Sequence, residues 1–100
     1  MSKQKLIYRQ GDIILEKIDK LPKDAKPAGN SLSLTGETGN AHVLEAPVFE
    51  TGIQTFVQIG AEGAMMKHAE HPTQPIEKGN YVVRRLREYV EKERPRAVFD

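Results

Sequence analysis

Glycine and proline divide this chain into short pieces, and their spacing constrains the fold more than any other feature. Eight glycines and six prolines are spread along 100 residues. Proline brings no N–H to a ladder and glycine eases turns, so each marks a place where a regular element ends or bends. The pieces between them are short and rich in β-favouring residues, with no alternating helical segments. That pattern predicts a mainly β chain, a small antiparallel β-barrel or sandwich forming a single domain.

The first piece, Leu6 to Ile18, is extended and interrupted at Gly11-Asp12, where a bulge or tight bend is expected. Pro22, Pro27, Gly29 and Asn30 make residues 21–30 a surface loop. Ser31-Leu32-Ser33-Leu34 alternates polar with apolar, and Ala41-His42-Val43-Leu44 returns after a Gly-rich turn, so the two read as a hairpin with His42 near its mouth. Ile53 to Ile59 is expected to be a central strand, with Ile53, Val57 and Ile59 on one face and Gln54 and Gln58 on the other. Ala64 to Lys67 is a short apolar segment. Pro72 and Pro75 make residues 68–78 loop or sheet edge. From Tyr81 to Glu93, Val82, Val83, Leu86, Tyr89 and Val90 fall at helical spacing, which by itself favours an amphipathic helix. Arg96 to Phe99 is expected to be a closing strand.

The composition excludes several classes. With no cysteine there are no disulfides, thiolate metal sites or cysteine nucleophiles. No run approaches the roughly 18 apolar residues of a membrane span, and the polar Met1-Ser2-Lys3-Gln4-Lys5 is unlike a signal peptide, so a cytoplasmic location is expected. A formal net charge of +1 lacks the overall footprint of a duplex-DNA binder. Positive charge is nevertheless concentrated at Arg84, Arg85, Arg87, Lys92, Arg94 and Arg96, partly offset by Glu88, Glu91 and Glu93.

All three histidines lie in turn-flanked segments: His42, then His68 and His71. Imidazole titrates nearest neutrality and is a common metal ligand, so a shared site is expected if the hairpin mouth meets the loop. His42, His68 and His71 are the candidate ligands of a divalent metal, with Glu45 or Glu70 as carboxylate partner. The plainer alternative is that His42 bonds across its hairpin while the other two are solvated. Gly36, His42 and Glu45 also make a partial match to the first cupin motif. Leu44 stands where that motif has its second histidine, and no histidine follows Gly79, so the cupin metal triad is incomplete.

Four segments, Arg9-Gln10-Gly11-Asp12-Ile13-Ile14-Leu15, Gly36 to His42, His68-Ala69-Glu70-His71-Pro72 and Gly79 to Tyr89, together resemble a family of small uncharacterised bacterial and phage proteins. That family shows, in this order, a Gly-Asp strand, a Thr-Gly-x-x-His segment, a His-x-x-His segment with proline and a Gly-x-Tyr-x-Val-x-Arg-x-Arg-Glu-Tyr segment. The resemblance implies a phage or mobile-element setting and a strand over Asn80 to Tyr89 in place of the helix. It implies no activity. At Asn40 this chain departs from members that carry a further histidine.

On a strand, Arg85 and Arg87 share a side with Tyr81 and Tyr89 while Arg84 lies opposite. Guanidinium groups beside tyrosines suit anionic or planar ligands, including nucleic acid, unless the arginines are paired with carboxylates such as Glu88 or Glu91. The leading functional expectation is a non-enzymatic binding module contacting a protein partner or an anionic ligand, and open to homo-oligomer formation. Its binding residues are His42, His68, His71, Arg85, Arg87, Tyr81 and Tyr89. The rivals are a histidine- or metal-dependent hydrolase of phosphate-containing substrates or nucleic acid, and a virion component.

Overall fold

A computed structural model describes residues 6–35, 39–85 and 96–99, the last as backbone. Every regular element among them is a strand: β1 (Leu6–Gln10), β2 (Ile13–Ile18), β3 (Lys26–Gly29), β4 (Leu32–Thr35), β5 (Ala41–Leu44), β6 (Val48–Glu50), β7 (Thr55–Ile59), β8 (Ala64–His68), β9 (His71–Ile76), β10 (Gly79–Arg85) and β11 (Arg96–Phe99). They form two open sheets. The larger runs β11-β1-β2-β10-β7-β6-β3 and the smaller β4-β5-β8-β9. All pairings are antiparallel except that of β1 with β11.

The sheets share one apolar cluster. Leu6, Tyr8, Leu15, Val57, Ile59 and Tyr81 come from the larger sheet, and Leu32, Leu44, Met66 and Ile76 from the smaller. On β7, Val57 and Ile59 enter the cluster while Phe56, equally buried, points to the other face with Val82 opposite it in the register. Tyr81 is wholly buried and meets Tyr8 edge-on at 5.8 Å. Its hydroxyl donates to the Glu77 carbonyl at 2.7 Å, and the Glu77 N–H donates to the Tyr8 hydroxyl at 3.3 Å. Two tyrosines thus grip the turn that leads from β9 into β10. Burial and the neighbouring Tyr8 hold the Tyr81 phenol protonated far above the usual range.

The structure corrects several expectations. Residues 79–85 are strand, as the resemblance implied and against the helical spacing taken by itself, because β10 lies between β2 and β7 and its β-branched Val82-Val83 pairs on both sides. Residues 86–89 of the expected strand lie outside the described residues. Ile53 does not belong to the central strand. Thr51 N–H bonds to the Gln54 carbonyl, and the Thr51 hydroxyl accepts from the N–H groups of Ile53 and Gln54. Local bonding of this kind builds a turn where a ladder was expected, and it leaves Ile53 93% exposed. Of the two expectations for residues 68–78, loop or sheet edge, the edge holds over most of the stretch. β9 runs straight through Pro72 and Pro75 as an edge strand, where prolines need donate nothing to a neighbour. The stretch 21–30 likewise contains an edge strand, β3, with an irregularity between Pro27 and Gly29. The closing strand at Arg96–Phe99 is present and pairs parallel to β1. Among the described residues no helix is long and apolar enough to cross a membrane.

Candidate functional site

Three strands of the smaller sheet bring the histidines together. His42 lies on β5, His68 ends β8 and His71 begins β9 across a two-residue turn. Ring centroids are 4.3 Å apart for His42 and His68, 4.6 Å for His68 and His71 and 6.1 Å for His42 and His71. The turn is pinned by the Glu70 N–H donating to His68 Nδ1 at 3.0 Å and by Asn40 Nδ2 donating to Glu70 Oε1 at 2.9 Å. Beneath the rings sits Gly11, first residue of the tight turn between β1 and β2. Its φ of +59° suits glycine. A β-carbon there would come within 2.8 Å of His71 Nε2 and 3.3 Å of His42 Cε1. The turn of the larger sheet is therefore the floor of the histidine cluster.

Gln10 sets the chemistry of the innermost ring. Fully buried at the end of β1, it donates through Nε2 to the carbonyls of Met66 at 2.9 Å and Pro72 at 3.0 Å, tying the larger sheet to β8 and β9. Both amide hydrogens are committed, so Oε1 can only accept. It lies 2.9 Å from His42 Nδ1, which must carry the proton. In the neutral ring the lone pair is then on Nε2, and that atom faces Asp12 Oδ1 at 3.4 Å. Burial and the charge of His68 lower the His42 pKa below the ordinary histidine value, outweighing the opposing pull of Asp12. At neutral pH His42 is an uncharged imidazole with a fixed tautomer.

Arg85, at the end of β10, lies on the other side of Asp12. Its Nη1 donates to the Thr35 carbonyl at 3.1 Å and stands 3.6 Å from Asp12 Oδ2. Asp12 is thus shared between Arg85 and His42. Beyond Arg85 opens a cleft of about 190 Å³ with Leu34, Ile53 and Val83 as its apolar lining and Gln54, Thr55 and Arg85 as polar wall. Arg84 is turned to the opposite face of β10 and donates to Glu16 Oε1 at 2.8 Å. Among the described residues, the carboxylates that pair with these arginines, Glu16 and Asp12, come from the β1–β2 hairpin, while Glu88 and Glu91 lie outside the described residues.

Tyr81 offers no stacking surface to a ligand, because its position on β10 points it into the core. Arg87 and Tyr89 lie outside the described residues. The histidine rings stack and tilt against each other, and His68 Nδ1 is occupied by the Glu70 N–H. Among the described residues no group of three or more His, Cys, Asp or Glu is arranged to hold a metal ion. Gln10, Asp12, Leu34 and Val83 are site residues that sequence reasoning missed. One signal was available for Gln10: it continues the inward alternation of Leu6 and Tyr8 as a polar residue in an apolar register.

The profile of a domain of unknown function, DUF8820, matches residues 9–86. The chain belongs to that family. The DUF8820 match takes in Gln10, Gly11, Asp12, all three histidines and Arg85, so the whole mouth between the sheets lies within the family's extent. No curated protein and no solved structure matches the chain.

Proposed function

We propose that this DUF8820 domain is a non-enzymatic binding module that holds an oxyanion, of phosphate or sulfate type, at the mouth between its sheets. The observation that carries this reading is the placement of Arg85. Its guanidinium is anchored by the Thr35 carbonyl, with a cleft of mixed polar and apolar lining on one side and, through Asp12, the histidine cluster on the other. Guanidinium presents planar pairs of donors that match such oxygens, and half-buried His68 and His71 add imidazole N–H groups nearby. Hydrolysis fits the geometry less well. A general base needs a lone pair turned toward substrate, whereas His42 is 2% exposed with one nitrogen on Gln10 and the other facing Asp12.

Calorimetric titration with inorganic tripolyphosphate at low salt tests the reading. Replacing Arg85 by alanine is expected to weaken binding by at least about tenfold, the scale of one lost charge-assisted contact. Equal affinity in wild type and Arg85→Ala, or no binding in either, would reject the proposal.

A further inference from the structure

Asp12 has two claimants, and an oxyanion at Arg85 would decide between them. In the unliganded site Oδ2 lies 3.6 Å from Arg85 Nη1, and Oδ1 lies 3.4 Å from His42 Nε2. Gln10 has placed the ring hydrogen on Nδ1, so Nε2 meets the carboxylate lone pair to lone pair unless a proton lies between them. Arg85 is the cation that makes this arrangement tolerable. An anion that draws the guanidinium toward the cleft leaves Asp12 facing an unprotonated nitrogen.

We propose that the site takes up its oxyanion together with a proton: as Arg85 turns to the ligand, Asp12 is handed to His42, whose Nε2 gains a proton from solvent. This rests on the oxyanion reading above. The balance is one anion and at most one proton bound, with no covalent change. The groups facing His42 are Gln10 from β1, Asp12 from the β1–β2 turn, His68 from β8 and His71 from β9, with Arg85 of β10 acting through Asp12. Nearby, Arg9 Nε is held by the Gly11 carbonyl, and the Glu70 carboxylate accepts from Asn40. Imidazolium on His42 would be opposed by charge on His68 or His71, so the cluster has room for one such proton and the Asp12 carboxylate is its counter-ion.

Sulfate is the probe, because its charge is constant between pH 5.5 and 8. Calorimetry in two buffers of different ionisation enthalpy counts the protons taken up. Wild type is expected to gain a fraction of a proton per sulfate near pH 7, with affinity rising as pH falls by at most about tenfold per pH unit. In Asp12→Asn, or Asp12→Ser if the first folds poorly, the uptake should vanish and sulfate should bind several-fold tighter at pH 8, since the carboxylate that competes with sulfate for Arg85 is gone. Sulfate binding without proton uptake, or uptake that survives loss of Asp12, overturns this inference and leaves the oxyanion reading standing. No sulfate or tripolyphosphate binding overturns both. A third measurement needs no ligand. In Arg85→Gln, Asp12 is left to His42 alone, so the ring's titration midpoint by NMR should move up, and an unmoved midpoint also overturns the inference.

Discussion

Gln10 illustrates how one buried amide can fix the state of a titratable neighbour. Its two donations to Met66 and Pro72 leave only an acceptor for His42, so the ring is expected to be the Nδ1–H tautomer, readable from its nitrogen chemical shifts at pH 7.5. An Nε2–H ring would contradict that assignment. The same burial has a consequence for stability. Because the folded pKa of His42 is lowered from 6.5, the unfolded chain takes the proton first as pH falls. Its contribution is absent above neutrality and becomes destabilising below about pH 6.5. Urea midpoints should therefore fall between pH 7.5 and 5.5, and less so in His42→Gln. Gly11 is a second residue-scale case. Alanine there must adopt a positive φ and press a β-carbon on His71, so Gly11→Ala is expected to cost about 1 to 3 kcal/mol. A change in urea stability below about half a kcal/mol would show that the rings do not rest on the turn.

At the scale of elements, the sequence was legible where punctuation and alternation agreed. Gly11-Asp12, the hairpin around His42 and the closing strand at Arg96–Phe99 all lie where expected. It misled where a local choice depended on neighbours. The helical spacing over residues 81–93 carries no information about β2 and β7, which flank β10 and set its conformation. Pro72 and Pro75 said that β9 could not be central, but only the topology makes it an edge strand. Ile53 looked like strand because the hydroxyl of Thr51 that turns the chain is two residues away. Removing that hydroxyl in Thr51→Ala should cost about 0.5 to 1.5 kcal/mol, the worth of a net hydrogen bond, while Ile53→Ser should change stability by no more than about 0.5 kcal/mol. The tyrosine grip on Glu77 is testable in the same way. Tyr81→Phe keeps the core volume but leaves the Glu77 carbonyl without its donor, for an expected loss of about 1 to 3 kcal/mol in chemical denaturation.

For the molecule as a whole, the site exists because the larger sheet delivers Gln10, Gly11, Asp12 and Arg85 to the open end of the smaller sheet that carries the histidines. The separate histidine segments could be read as candidates from their spacing in turns. Their stacking could not, because it depends on how β5, β8 and β9 pair within the smaller sheet, nor could the role of Asp12 between Arg85 and His42, because these three are far apart in the chain and meet only through the packing of two sheets. The expectation that tyrosines would flank the arginines failed for Tyr81 for the same reason: alternation tells which side a residue takes, not which side is core. The proposed function requires that Arg85 and the histidine cluster form one oxyanion-binding mouth. Its most direct test is a tripolyphosphate titration of isotope-labelled protein followed by NMR. The predicted result is saturable shifts in the Arg85 side chain, the Thr35 and Asp12 amides and the His42, His68 and His71 rings, with one common dissociation constant. Shifts confined to other surfaces, or different constants for Arg85 and the histidines, would contradict it.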